Sequence, residues 1–224
     1  LTVALPIISA MGIEACPIPT ALLSNHTAFD SFSFTDLTDQ IKPITDQFKK
    51  QNFHFDGIYS AYLGSKRQVD IVTEFIDDFK ALTLVDPVMG DHGKLYSGFD
   101  KDFPETMKRL CKKADIIVPN VTEAGFLLGY DHALTYSSEK ELKEYMLRLC
   151  DSGPEICVIT GIESSNKLGA AIYNRKTDEF DLYLKDKIAR TFHGTGDIFA
   201  SVLFSALVKD IPLKKSLSAA VDFT

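Results

Sequence analysis

Short apolar runs of strand length recur along this chain, and stretches of helical period lie between them. Phe55–Ala61, Leu82–Val85, Ile116–Val118 and Ile156–Thr160 are the clearest runs. Between them Val69, Val72, Ile76 and Phe79 recur at three and four residues, and Leu142, Tyr145, Met146, Leu149 and Cys150 trace a second helical stripe. A strand covered on both faces reads as a continuous apolar run, and helices placed between such strands join them in parallel. The order therefore predicts an α/β fold: a three-layer α/β/α sandwich whose mainly parallel central sheet has helices on both faces. Late in the chain, Leu168–Tyr173 and Phe180–Leu184 flank the turn-like Asn174–Asp178. That pattern predicts an antiparallel edge hairpin.

The remaining elements are weaker. Leu1–Met11 reads as a helix closed by Gly12, and Ile13–Thr20 as a strand. Residues 21–36 form a polar and aromatic connection, a candidate lid, and the alternation of Phe29, Ser31, Ser33 and Asp36 predicts a short edge strand in it. The aromatic cluster Phe29, Phe32 and Phe34 is expected in the core. Thr38–Lys50 is expected to be a helix interrupted early by Pro43. Phe103–Lys112 reads as a helix, Thr122–Leu128 as a short one stopped by Gly129, and Leu213 opens a last one. Helical pattern is already running at Leu1 and still running at Phe223, so the natural chain is expected to continue past both given ends.

Length and charge then narrow the function. At 224 residues and 45% hydrophobic content, residues 1–224 are expected to form one domain of the larger α/β kind. A net charge of −7 and a pI near 5.2, with no Lys/Arg run, argue against a nucleic-acid partner. The longest apolar run, Ile198–Val208, falls short of the roughly 18–20 residues of a membrane helix. Leu1–Ile8 lacks the basic flank of a secretory leader. Cys16, Cys111, Cys150 and Cys157 form no C-x-x-C pair and no metal-finger spacing, so reduced, buried thiols in a cytoplasmic protein are expected.

The polar residues fall where such a sheet would use them. Predicted strands end at Ala61-Tyr62, Val85-Asp86, Val118-Pro119-Asn120 and Ile159-Thr160-Gly161. Ligands of open α/β sheets bind outside the carboxyl ends of the strands, so these residues are expected to line one crevice. Gly194-Thr195-Gly196-Asp197 runs directly into the apolar Ile198–Val208. The glycines allow close approach to a ligand, and the free amides and dipole of a helix start attract an anion by about 0.3–1 kcal/mol at an exposed site. Asp86-Pro87-Val88-Met89-Gly90-Asp91 sets two carboxylates around a forced turn, which suits a metal–phosphate complex or a plain surface turn. Asn120-Val121-Thr122-Glu123 offers an amide oxygen and a carboxylate at another helix start; capping by Thr122 with Glu123 on the dipole is the simpler account.

Two phosphate motifs are set aside. Gly194–Ala200 comes near G-x-G-x-x-A, with its alanine one position late, but it lies late in the chain, follows the polar Ala189-Arg190-Thr191, and has no acidic strand end about twenty residues on. No G-x-x-x-x-G-K-[ST] occurs anywhere in the chain. His26 and His193 taken alone read as structural histidines.

Together, Gly194–Asp197, Asp86–Asp91 with Tyr96 after it, Asn120–Glu123 and Leu23-Ser24-Asn25-His26-Thr27 resemble the pyridoxal kinases, the vitamin B6 branch of the ribokinase-like superfamily. The resemblance runs in order over essentially the whole chain. It implies a ribokinase-like fold and transfer of the γ-phosphoryl of ATP to the 5′-hydroxyl of pyridoxal, pyridoxine or pyridoxamine. By resemblance Asp197 is the base, and Gly194, Thr195 and Gly196 form the anion hole. Asp86, Asp91 and Glu123 serve Mg2+ and the phosphates, while Asn120, Thr160, Thr195 and Tyr96 belong to the ATP side. His26, Thr27 and Tyr62 face the pyridine ring, and residues 186–193 form a flap over ATP. The resemblance also implies Mg2+ with ATP, a monovalent cation such as K+, and a homodimer without membrane or nucleic-acid partners.

Members of that branch begin with a strand and a polar loop contributing a substrate-contacting serine, which the given chain does not contain. Hydroxymethylpyrimidine kinases share the fold and anion hole but more often carry cysteine where Asp197 stands, so this residue favours a B6 vitamer. A sugar or other heterocycle is the alternative acceptor. A non-catalytic B6-binding protein is a third reading, at odds with the intact acid and anion-hole set.

Overall fold

The structure is a computed structural model and describes residues 1–25, 29, 31–190 and 192–224. In chain order the elements are α1 (Ala4–Ala10), β1 (Ala21–Leu23), β2 (Phe34–Asp36), α2 (Thr38–Lys50), β3 (Gly57–Ser60), α3 (Lys66–Phe79), β4 (Leu82–Val85), β5 (Gly90–Asp91) and β6 (Lys94–Leu95). They continue with α4 (Phe103–Cys111), β7 (Ile116–Ile117), α5 (Val121–Leu127), α6 (Glu139–Cys150), β8 (Ile156–Ser164), β9 (Lys167–Asn174), β10 (Glu179–Asp186), α7 (Thr195–Val208) and α8 (Leu213–Phe223).

The central sheet has the order β10-β9-β8-β7-β4-β3. β3, β4, β7 and β8 pair in parallel, and β9 and β10 extend the sheet antiparallel. Alternation along each strand divides its residues between two cores. Val85, Ile117, Cys157, Ile159 and Ala171 pack with Val69 and Ile76 of α3, Met107 of α4, Ala124 of α5 and Met146 of α6. Leu84, Ile116, Val158, Ala170 and Ile172 turn to the opposite face and meet Leu203 and Phe204 of α7 and Leu217 of α8. This is the expected three-layer sandwich.

α7 is buried from Phe199 to Ala206, as a mostly apolar helix between a sheet and two further helices must be. Gly57 is required where it passes beneath that helix: a Cβ there would lie 2.5 Å from the Phe204 ring and 2.9 Å from Val208.

Several expectations need correction. Ile13–Thr20 forms no strand; Pro17 and Pro19 remove two of its amide donors. Pairing begins only at Ala21, where β1 and β2 make a two-stranded antiparallel ribbon with Ala21 opposite Asp36 and Leu23 opposite Phe34. The short edge strand predicted within Phe29–Asp36 forms at the end of that stretch, at Phe34–Asp36. Pro43 does not interrupt α2, because the buried Ile41 and Thr45 hold it across the lost hydrogen bond. Phe29, Phe32 and Phe34 are not core residues; they are 66, 40 and 46% exposed. Of the cysteines, Cys111, Cys150 and Cys157 are buried as expected, Cys16 is exposed, and all four are unpaired. Among the described residues no helix is long and apolar enough to cross a membrane.

Candidate active site

Tyr62, Asp86, Asn120 and Thr160 follow the carboxyl ends of β3, β4 and β7 or lie within β8, four neighbouring parallel strands, and therefore share one edge of the sheet. The ladder continues past the named strands: the Asp86 amide donates to Ser60 O at 2.9 Å, and the Thr160 amide to Pro119 O at 3.0 Å. Asn120 and Thr160 form a parallel bridge, and β8 bulges between Thr160 and Ile162.

Asn120 organises the centre of this edge. Its Oδ1 accepts from the amides of Thr122 at 2.8 Å and Glu123 at 3.0 Å, and its Nδ2 donates to Gly90 O at 2.9 Å. Glu123 closes a capping box, accepting on Oε2 from the Asn120 amide at 2.9 Å. Its Oε1 accepts from the amides of Met89 at 3.0 Å and Gly90 at 3.4 Å. The cap of α5 is thus Asn120, and Thr122 instead accepts from the Gly93 amide through Oγ1 at 2.9 Å. These bonds stitch the β5–β6 hairpin, which occupies the expected acidic turn, to the start of α5.

The crevice is strongly anionic. Burial raises the Asp86 carboxyl well above its ordinary range, and the charges of Glu123 and Asp197 add to the effect. Burial also pushes Glu123 up to about 7, against the pull of the three amides it accepts from. Asp197 is raised by burial as well. Tyr96, whose amide donates to Met89 O at 2.9 Å, is raised by burial and then by the fields of Glu123, Asp91, Asp86 and Asp197. All four carboxylates therefore act on one locality.

α7 opens this crevice from the far side. Gly194 precedes it at φ +85°, a left-handed conformation that glycine adopts without strain, and its carbonyl accepts the first helical bond, from Ile198 at 3.0 Å. The amides of Thr195, Gly196 and Asp197 lie in the first turn, where a helix supplies no acceptors. Beyond Gly196 a Cβ would meet nothing within 4 Å, so the turn is open.

The acidic set does not form a ready-made metal cage. Among the described residues no group of three or more His, Cys, Asp or Glu side chains is placed to hold one ion. Asp91 is exposed and accepts from the His92 amide at 2.7 Å, while both oxygens of Glu123 already face amides. This donor set fits Mg2+ bound through water and phosphate oxygens, which is how that ion usually binds.

Of the residues expected to face the acceptor, Tyr62 is 37% exposed with its ring 6.1 Å from Phe99. His26 and Thr27 lie outside the described residues, between β1 and β2 in sequence. The expected flap, 186–193, leaves the end of β10 with Ile188 69% and Phe192 56% exposed, and its Thr191 is also outside the described residues. Two further neighbours of the site carry no motif in the sequence. Tyr59 is partly buried, with its hydroxyl fully enclosed, and feels the charges of Asp86 and Asp197, and Ser201 donates through Oγ to Asp197 O at 2.6 Å. Strand alternation at Tyr59 and the one-turn spacing of Ser201 from Asp197 are the signals that place them.

Residues 5–224 match the phosphomethylpyrimidine kinase family. The chain belongs to that family. Within it, the chain is 41% identical to a Bacteroides thetaiotaomicron protein described as a phosphomethylpyrimidine kinase and crystallised with pyridoxal, at a TM-score of 0.94 over 99% of this chain and 79% of that one. A pyridoxal kinase of Lactobacillus plantarum is 29% identical at a TM-score of 0.89, covering 98% of this chain and 78% of that one. The Arabidopsis thaliana pyridoxal kinase is 30% identical over 210 residues, 86% of this chain. This member of the phosphomethylpyrimidine kinase family spans 64% of the Arabidopsis enzyme's length. The family kinship and these likenesses agree with the ribokinase-like sandwich described above.

Proposed function

We propose that residues 1–224 are one catalytic unit that transfers the γ-phosphoryl of ATP to the 5′-hydroxyl of pyridoxal, pyridoxine or pyridoxamine. The observation that carries this reading is Asp197 in the first turn of α7: a half-buried carboxylate at a helix start whose amides have no acceptor within the helix, across the crevice from Asp86 and Glu123. Phosphoryl transfer needs positioning, neutralised oxygens and an acceptor for the hydroxyl proton. Asp197 orients the 5′-hydroxyl and takes its proton on a carboxylate oxygen as the oxygen–phosphorus bond forms. Gly194, Thr195 and Gly196 hold the transferring group through the amides of the turn. Asn120, Thr160, Thr195 and Tyr96 lie on the nucleotide side, and His26, Thr27 and Tyr62 on the pyridine side.

Asp86, Asp91 and Glu123 are the residues that would hold Mg2+, through water and the nucleotide phosphates. When bound, the ion neutralises the phosphate charge and the repulsion among these carboxylates. A K+ ion, a homodimer and a cytoplasmic setting complete the proposal by kinship, and the charge of −7 disfavours nucleic acid.

The family match itself supports a second acceptor, a hydroxymethylpyrimidine. Purified protein with Mg·ATP and a panel of B6 vitamers, hydroxymethylpyrimidine and ribose separates the readings. Turnover of a vitamer at the highest kcat/KM is expected. Turnover of the pyrimidine or ribose alone, or of none, would overturn it.

A further inference from the structure

The β1–β2 ribbon is poorly held by packing. β2 is exposed along its length, and Leu22 of β1 is 66% exposed. Its two ends nevertheless converge on a single buried side chain, Gln68, in the first turn of α3, which is 0% exposed. Gln68 Nε2 donates to Thr20 O at 2.9 Å, immediately before β1, and to Thr38 Oγ1 at 2.9 Å, with a longer contact of 3.4 Å to Asp36 Oδ1 at the end of β2. Gln68 Oε1 accepts from the Gly64 amide at 2.7 Å.

The network closes on itself. Leu37 donates its amide to Thr20 O at 3.1 Å, and Asp36 Oδ1 accepts the Thr38 amide at 2.7 Å as well as the Thr38 hydroxyl. Thr20 Oγ1 donates to Tyr62 O at 3.0 Å. The Thr38 contacts hold the Asp36 carboxyl below its ordinary range.

A primary amide presents two donors and a carbonyl acceptor on one small planar group, and this position uses both kinds. Glutamate would set an acceptor against Thr20 O and the Asp36 carboxylate, and lysine could not accept from Gly64.

We propose that Gln68 is a positioning residue for the acceptor: it locks the β1–β2 ribbon, whose strands flank His26 and Thr27 in sequence, to the turn after β3 carrying Tyr62. This rests on the kinase reading above, which places those residues on the acceptor. The nucleotide side is tied separately, through Asn120 and Glu123, so loss of Gln68 acts on the acceptor alone.

The test is Gln68→Leu, near in shape and without polar atoms, in the whole protein. The KM for the vitamer is expected to rise about 10-fold or more, as for losing more than one hydrogen bond, with kcat and the KM for ATP within about 2-fold. Amide exchange at residues 21–23 and 34–36 is expected to quicken while that of Leu82–Val85 stays unchanged. If Gln68→Leu does not fold, Thr20→Val, which deletes the hydroxyl bonded to Tyr62 O, should still raise the vitamer KM about 3-fold or more with ATP unaffected. Parallel rises in both KM values, equal quickening in ribbon and core, or no change in either readout would overturn the proposal. If the wild type turns over no vitamer, the kinase reading fails by itself, and ribbon exchange still tests the lock.

Discussion

Asn120→Ala tests the arrangement at the centre of the site most sharply, because the side chain performs two separable tasks. It caps α5 through two amides, and it holds the β5–β6 hairpin through Gly90 O. Losing an N-cap costs about 1 kcal/mol. Leaving the carbonyl of the buried Gly90 without its donor adds about 1–3 kcal/mol. The alanine variant should therefore lose about 2–4 kcal/mol. At about 2–4 °C per kcal/mol for a domain of this size, the midpoint of thermal unfolding falls by about 4–16 °C. Asn120→Ser keeps a capping oxygen but cannot reach Gly90, so it should recover about 1 kcal/mol of that loss and no more. Calorimetry on the wild type and both variants at one pH and salt reads all three midpoints. Serine equal to wild type would show that the Gly90 bond contributes nothing, and alanine within about 2 °C of wild type would refute the whole assignment.

Asp197→Asn should lower kcat at least about 100-fold while the KM for ATP stays nearly constant; near-normal kcat would remove Asp197 from the role of base. Because burial raises the Asp197 carboxyl, the acid limb of kcat/KM should lie above the ordinary carboxylate value, and a limb at or below that value contradicts the environment described. Asp91→Ala should raise the Mg2+ concentration needed for half-maximal rate, and an unchanged titration returns Asp91 to a surface turn. Glu123 holds its proton up to about 7 when folded, against an ordinary 4.5, so the unfolded chain releases that proton first as pH rises. Stability should fall by up to about 3 kcal/mol between those values and then level off, and Glu123→Gln should flatten the fall in denaturant midpoints; an equal slope in both proteins refutes it.

Much of this layout was legible because the period of the apolar residues carries it. Leu84 and Val85, Ile116 and Ile117, and Val158 and Ile159 had to face opposite cores, so the sheet, its covering helices and the shared edge of Tyr62, Asp86, Asn120 and Thr160 followed. What escaped depends on side chains meeting across long separations. No local pattern announces that Gln68 reaches Thr20 and Thr38, or that Glu123 accepts from Met89. Phe29, Phe32 and Phe34 misled for a related reason: aromatic content suggests burial, yet Phe34 lies in a strand exposed along its length and Phe29 and Phe32 in the connection before it. The acidic residues assigned to metal were found by type and spacing, but type and spacing do not reveal that backbone amides already occupy Glu123.

The bridge between Asn120 and Thr160 and the hydrogen bond from Asp86 to Ser60 O make the phosphate-handling edge an extension of the sheet itself, with the sheet's stiffness. The ribbon beside it hangs from a handful of side-chain bonds. On the proposed kinase reading, chemistry and choice of acceptor are mounted on parts of unequal rigidity, so substitutions in β1 and β2 should exchange one hydroxymethyl compound for another while the edge formed by Asp86, Asn120 and Thr160 stays in register.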